Sequence, residues 1–180
     1  ATEGDRTLFF DFLPISIERV QEMPVRLQLY TVPGQVFYSS TRKLVLNGAD
    51  GVVFVADSQP AARESNLQSL ADLEDNLRDL GQELARFPHV FQYNKRDIDG
   101  VMPLSQMNAD LNRHNAPALE TAASRGTGVL NALREITQAV IRDLKRRQPA
   151  PRRTLVMNAL KDEDTREGGL AARVAAVVDA

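Results

Sequence analysis

Asn94-Lys95-Arg96-Asp97 carries the sharpest chemical signal in this chain of 180 residues. A carboxylate in the fourth place accepts two hydrogen bonds from the N1–H and exocyclic amine of guanine. Adenine offers an acceptor at the matching ring nitrogen and would leave that carboxylate unpaired. The Lys95 stem can lie across a base, and the Asn94 side chain can tie neighbouring loops together. An Asn and an Asp also flank turns for backbone reasons alone, so these four residues need company. Company comes from Thr31-Val32-Pro33-Gly34-Gln35. There the Gly34 N–H can approach a terminal phosphate and Gln35 can orient a water for in-line attack. In isolation Pro-Gly is only a turn signal. The third member is Glu120-Thr121-Ala122-Ala123-Ser124, where small residues let the N–H groups around Ala122 and Ala123 come close to a base oxygen. Such a loop is otherwise an ordinary strand-to-helix turn.

The first two groups each follow a segment that reads as a strand, and the third lies between a short apolar segment and the last helix. Leu8 to Leu13 is aromatic and apolar, and Val25 to Val32 alternates strictly, so the two predict an antiparallel pair with Pro14 and Pro24 bounding the connection. Gly51 to Ala56 and Val90 to Tyr93 are continuously apolar, as strands buried on both faces are. Between them Leu67, Leu70, Leu73, Leu77 and Leu80 recur at helical spacing, with Gly81 as a left-handed stop. Val129 to Leu144 gives a second amphipathic stripe, and Arg42 to Leu46 and Leu104 to Leu111 give two shorter helices. Strands alternating with helices imply an open, mostly parallel α/β sheet with its ligands at the carboxyl ends of the strands.

Composition narrows the partners. With 22 Lys+Arg against 24 Asp+Glu, a net charge of −2 leaves no basic field for nucleic acid or an acidic membrane. There is no cysteine, hence no disulfide framework or thiol nucleophile. The longest apolar run, Gly51 to Ala56, is far short of the ~20 residues of a membrane span, and no signal segment opens the chain, so a cytoplasmic location is expected. One domain over residues 1–147 is expected, followed after the Gln148-Pro149-Ala150-Pro151 break by an extension, 148–180. In that extension Leu170 to Val178 reads as a short helix or a loosely ordered tail.

The three groups together resemble the small GTPases of the Ras superfamily, specifically the bacterial MglA group, polarity GTPases first named for gliding motility. Asp5 to Pro14 looks like that group's first switch and Leu29 to Tyr38 like its second. Most Ras-type proteins have Asp at the head of the second motif; Thr31 in that place is characteristic of the MglA group. The resemblance implies a Ras-like P-loop NTPase three-layer sandwich that binds GTP or GDP with Mg²⁺ and hydrolyses GTP. It makes Thr7 the Mg²⁺-ligating switch hydroxyl, Gln35 the water-positioning residue and Arg6 a built-in arginine finger. Gly34 falls to the terminal phosphate, and Asn94, Lys95, Asp97, Ala122 and Ala123 to the base. It also implies a Roadblock/LC7-type activator of the MglB family docking on the switches, where Phe9, Phe10, Phe12, Phe37 and Tyr38 are concentrated.

The pattern departs in one respect. No Gly-x-x-x-x-Gly-Lys-Ser/Thr occurs in these residues, and the chain begins at Ala1 without Met. The resemblance implies an opening strand, phosphate loop and first helix before Thr2. The opening strand is expected between Val25–Val32 and Gly51–Ala56, and without it the chain alone is expected to be inactive and to expose apolar surface. Two rivals remain: a nucleotide-free interaction module that kept its switch surface, and an unrelated receiver-like α/β protein. Intact Gln35, Arg6, Thr7 and guanine motif argue against the first. Thr31 and Asn94, at strand ends where a receiver needs acids, argue against the second.

Overall fold

A computed structural model describes residues 12–20, 23–33, 39–147 and 170–178. Six strands form one sheet in the order β1-β2-β6-β3-β4-β5. These are β1 (Phe12–Val20), β2 (Met23–Pro33), β3 (Gly51–Asp57), β4 (His89–Asn94), β5 (Ala118–Glu120) and β6 (Leu170–Val178). Four helices accompany them: α1 (Ser39–Leu46), α2 (Arg63–Asp79), α3 (Leu104–Leu111) and α4 (Val129–Arg147).

The expected antiparallel pair is present, with Phe12 opposite Tyr30 and Ile17 opposite Val25. Its boundaries differ from expectation. Pro14 lies inside β1 opposite Gln28, and the strands meet across only Gln21 and Glu22. An edge strand tolerates proline because an N–H facing outward has no ladder partner to lose. Leu8 to Asp11 lies outside the described residues.

The inner strands are parallel, with Phe54 beside Phe91 and Asp57 beside Asn94. Val52, Phe54 and Val90 are fully buried, as continuous apolarity requires of strands covered on both faces. On one face Leu70, Leu73 and Leu77 of α2 and Met107 and Leu111 of α3 pack against Phe54, Phe91 and Tyr93. On the other, Ile136 and Val140 of α4 pack against Val53, Val55, Val90 and Leu27. The result is the three-layer arrangement expected. Gly81, at φ 73°, ends the first face's long helix, and the Gln82 N–H closes back onto Leu77 O at 2.8 Å. Leu130, apolar and within the α4 stripe, is exposed in the first turn of that helix.

The extension corrects its reading over Leu170 to Val178. These residues form neither a helix nor a loose tail but a strand, parallel to β2 on one side and to β3 on the other. Val174 stands beside Leu29 and Gly51, and Val178 beside Pro33 and Val55. The slot expected for an opening strand is thus filled by the last described segment, and the sheet is continuous across it. Alanine's helix preference is worth only tenths of a kcal/mol per residue. A slot between two strands offers ladder hydrogen bonds on both sides, and tertiary context decides.

Candidate functional site

Three loops leave the carboxyl ends of β3, β4 and β5 and meet. The turn after β4 holds Lys95 in the left-handed region at φ 63°, a conformation a non-glycine residue adopts only when its surroundings impose it. They do so from both sides: the Ser58 N–H donates to Asn94 O and the Arg96 N–H to Thr121 O, each at 3.0 Å.

Asn94 ties the loops together as its residue type suggested. Its Oδ1 accepts the Ala123 N–H at 2.9 Å and the Thr121 hydroxyl at 3.3 Å. The small-residue loop is therefore clamped to the end of β4, but its N–H groups are engaged within the protein. Ala123 donates to Asn94, and Ala122, which is buried, donates to Thr127 O at 3.1 Å. In this conformation neither is presented to a base oxygen, which differs from the expectation for both.

Asp97 points into the same region. Its Oδ2 accepts the Ser124 hydroxyl at 3.0 Å and lies 3.4 Å from Arg125 Nε, with the carboxylate mostly shielded. Asp97 lines an open pocket of about 240 Å³ with Arg96, Glu120, Thr121, Ala122, Arg125 and Thr127. That is under the roughly 300 Å³ at which drug-sized sites begin, room for one ring system rather than a large ligand. A carboxylate has about four lone-pair positions. The pair of internal contacts on Oδ2 therefore leaves Asp97 able to accept from a guanine edge.

Several residues here carried no sequence signal of their own. Arg96, the variable place of the motif, staples the β4 and β5 loops by donating from Nε to Glu120 at 3.0 Å and from its terminal nitrogen to Met102 O at 2.7 Å. Asp57 ends β3, is 7% exposed, and pairs with Lys95 Nζ at 2.8 Å. Asn66, fully buried on α2, accepts the Asp57 N–H at 3.0 Å and donates to Asp57 O at 2.8 Å. The only available clue was an acid at the end of an otherwise apolar strand, which must find a partner. Tyr93 lies beneath this network, donating to Asn108 Oδ1 at 2.9 Å; burial pushes its hydroxyl pKa up to about 12, so it remains a donor. Arg6, Thr7, Gly34 and Gln35 lie outside the described residues.

No protein-family model matches the chain. It is 47% identical over 146 residues to the Mutual gliding-motility protein MglA of Myxococcus xanthus (strain DK1622), covering 81% of this chain and 75% of that relative. This chain belongs to the MglA family. Membership identifies the three-layer sheet as the Ras-like α/β fold of the small GTPases. No described helix is long and apolar enough to cross a membrane.

Proposed function

We propose that this MglA-family chain recognises guanine nucleotides through Asp97 and Lys95, and that in its family setting it is a GTP-hydrolysing switch for cell polarity or motility in the cytoplasm. The observation that carries this reading is Asp97, shielded and beside a ring-sized pocket at the end of β4, one hydrogen-bonded loop away from Ala123. Guanine would draw the Asp97 carboxylate off Ser124 and Arg125 or share it with them. The Ala123 N–H would exchange Asn94 for the base oxygen, while Asn94 still holds Thr121. Arg96 keeps the β5 loop at a fixed distance throughout.

For catalysis we assign Gln35 to orient the attacking water, Arg6 to stabilise charge on the transferring phosphoryl group, Gly34 to the terminal phosphate and Thr7 to Mg²⁺. Mg²⁺ would neutralise phosphate charge. An activator of the Roadblock/LC7 class, the MglB kind, is the partner assigned to the switch segments.

Asp97→Asn tests the base assignment. It trades an acceptor-only side chain for one acceptor and one donor, so preference should move from GDP toward XDP, which presents a carbonyl where guanine has its amine. Ligand-observed NMR with GDP, ADP and XDP at millimolar concentration reads this without requiring tight binding. Equal binding of GDP and ADP by the unmodified chain would remove the guanine reading, and binding of neither would leave an interaction module without nucleotide.

A further inference from the structure

A buried acid with a lysine partner at the carboxyl ends of β3 and β4 is unaccounted for by the base-recognition scheme. Asp57 and Asn94 are the last paired residues of β3 and β4. Lys95, one step beyond, turns left-handed at φ 63° and sends Nζ across the strand ends to Asp57 Oδ2 at 2.8 Å. Asp57 is itself immobilised. Its backbone is gripped on both polar atoms by the Asn66 amide, and its Oδ1 accepts the Gln59 N–H at 2.9 Å. The carboxylate is 9% exposed and the lysine side chain 37%, so the acid is the fixed member and the lysine the one being held.

We propose that Asp57, fixed by Asn66, is a positioning residue that pre-sets the Lys95 stem to lie across the face of a base whose edge Asp97 holds. This rests on the guanine reading above. Lysine carries four rotatable side-chain bonds and loses much of that freedom when its stem is laid on a ring. With Nζ already anchored at Asp57, the stem is restricted before a base arrives, and binding does not have to order it. Asp57 touches no base edge, so it sets affinity and not the choice of base.

The test is a double-mutant cycle of Asp57→Asn and Lys95→Met on the full chain, with GDP and XDP as the probes in ligand-observed NMR and with thermal melting alongside. Asn at 57 keeps Oδ1 for the Gln59 N–H and turns its NH₂ toward Lys95, releasing the ammonium. Asp57→Asn should weaken GDP about three- to tenfold, leave the GDP to XDP ratio unchanged, and add no further weakening in the Lys95→Met background. If Asp57→Asn does not fold, Asp57→Ser, which retains an acceptor for Gln59, takes its place. GDP binding equal to the parent, or the same loss in both Lys95 backgrounds, would show a role in stability alone and overturn the proposal. Failure of the guanine reading looks different. It appears in the unmodified chain and in Asp97→Asn, as no preference for GDP over ADP and no move toward XDP, before Asp57 is changed, and it would take the positioning role down with it.

Discussion

Asn94 does two separable things, and substitutions can divide them. Asn94→Ala removes the acceptor of the exposed Ala123 N–H and leaves the Thr121 hydroxyl only Tyr93 O at 3.4 Å, a loss of about 0.5–1.5 kcal/mol. Asn94→Asp keeps that acceptor. Melting should therefore fall by several degrees for Ala and much less for Asp. A titrating group sits at the opposite end of β4. His89 Nδ1 lies 2.8 Å from Phe87 O, which can only accept, so Nδ1 carries the proton. Nε2 is buried with no partner among the described residues. Burial lowers the pKa of His89 below the ordinary 6.5, the Phe87 hydrogen bond opposes this, and His114 lowers it further. A histidine depressed in the fold binds more protons when unfolded, so stability is whole above about pH 6.5 and declines as pH falls through the interval beneath it. Comparing melts at pH 7.5 and 5.5 should show a larger drop for the parent than for His89→Phe. The guanine motif was legible in sequence because its four residues are contiguous. Asp57 and Asn66 were not, nor was the pairing of Asp57 with Lys95, since these arise only when β3, β4 and α2 are brought together.

Among the elements, those with a strong period of their own were readable. α2 matches its leucine spacing, α3 the expected helix over Leu104 to Leu111, and β3 and β4 match their apolar runs within a residue or two. What failed was decided by neighbours. Pro14 reads as a boundary until β1 is known to be an edge, and Leu170 to Val178 reads as a short helix or a loosely ordered tail until β2 and β3 are known to leave a slot. Packing between layers makes its own demand at Gly51, where β3 passes under α4. A Cβ built there would stand 2.5 Å from Val140 Cγ2 and 3.0 Å from Ile136 Cδ1. Gly51→Ala should cost about 1–3 kcal/mol, by analogy with other overpacked cores, and Val140→Ala in the same chain should recover part of it. Chemical denaturation of the single and double variants measures both.

At the scale of the molecule, β6 is, among the described residues, the strand that joins β1-β2 to β3-β4-β5. Ala175 pairs with Tyr30 on one side and Val52 on the other, so Ala175→Pro removes a ladder donor from a central strand and should cost about 3 kcal/mol or more. Loss of cooperative melting, against little change for an exposed substitution such as Leu44→Gln on α1, is the expected contrast. The position of β6 also sets a schedule. A ribosome releases this chain from its amino end, and the strand needed at the middle of the sheet emerges after every other described element. Until then β2 and β3 wait with open edges, the pairing that unites them spans well over a hundred residues, and closure is slow by the usual dependence of rate on contact separation. Refolding of this chain from denaturant should therefore be slow and lose yield to aggregation as protein concentration rises, which refolding yield against concentration measures.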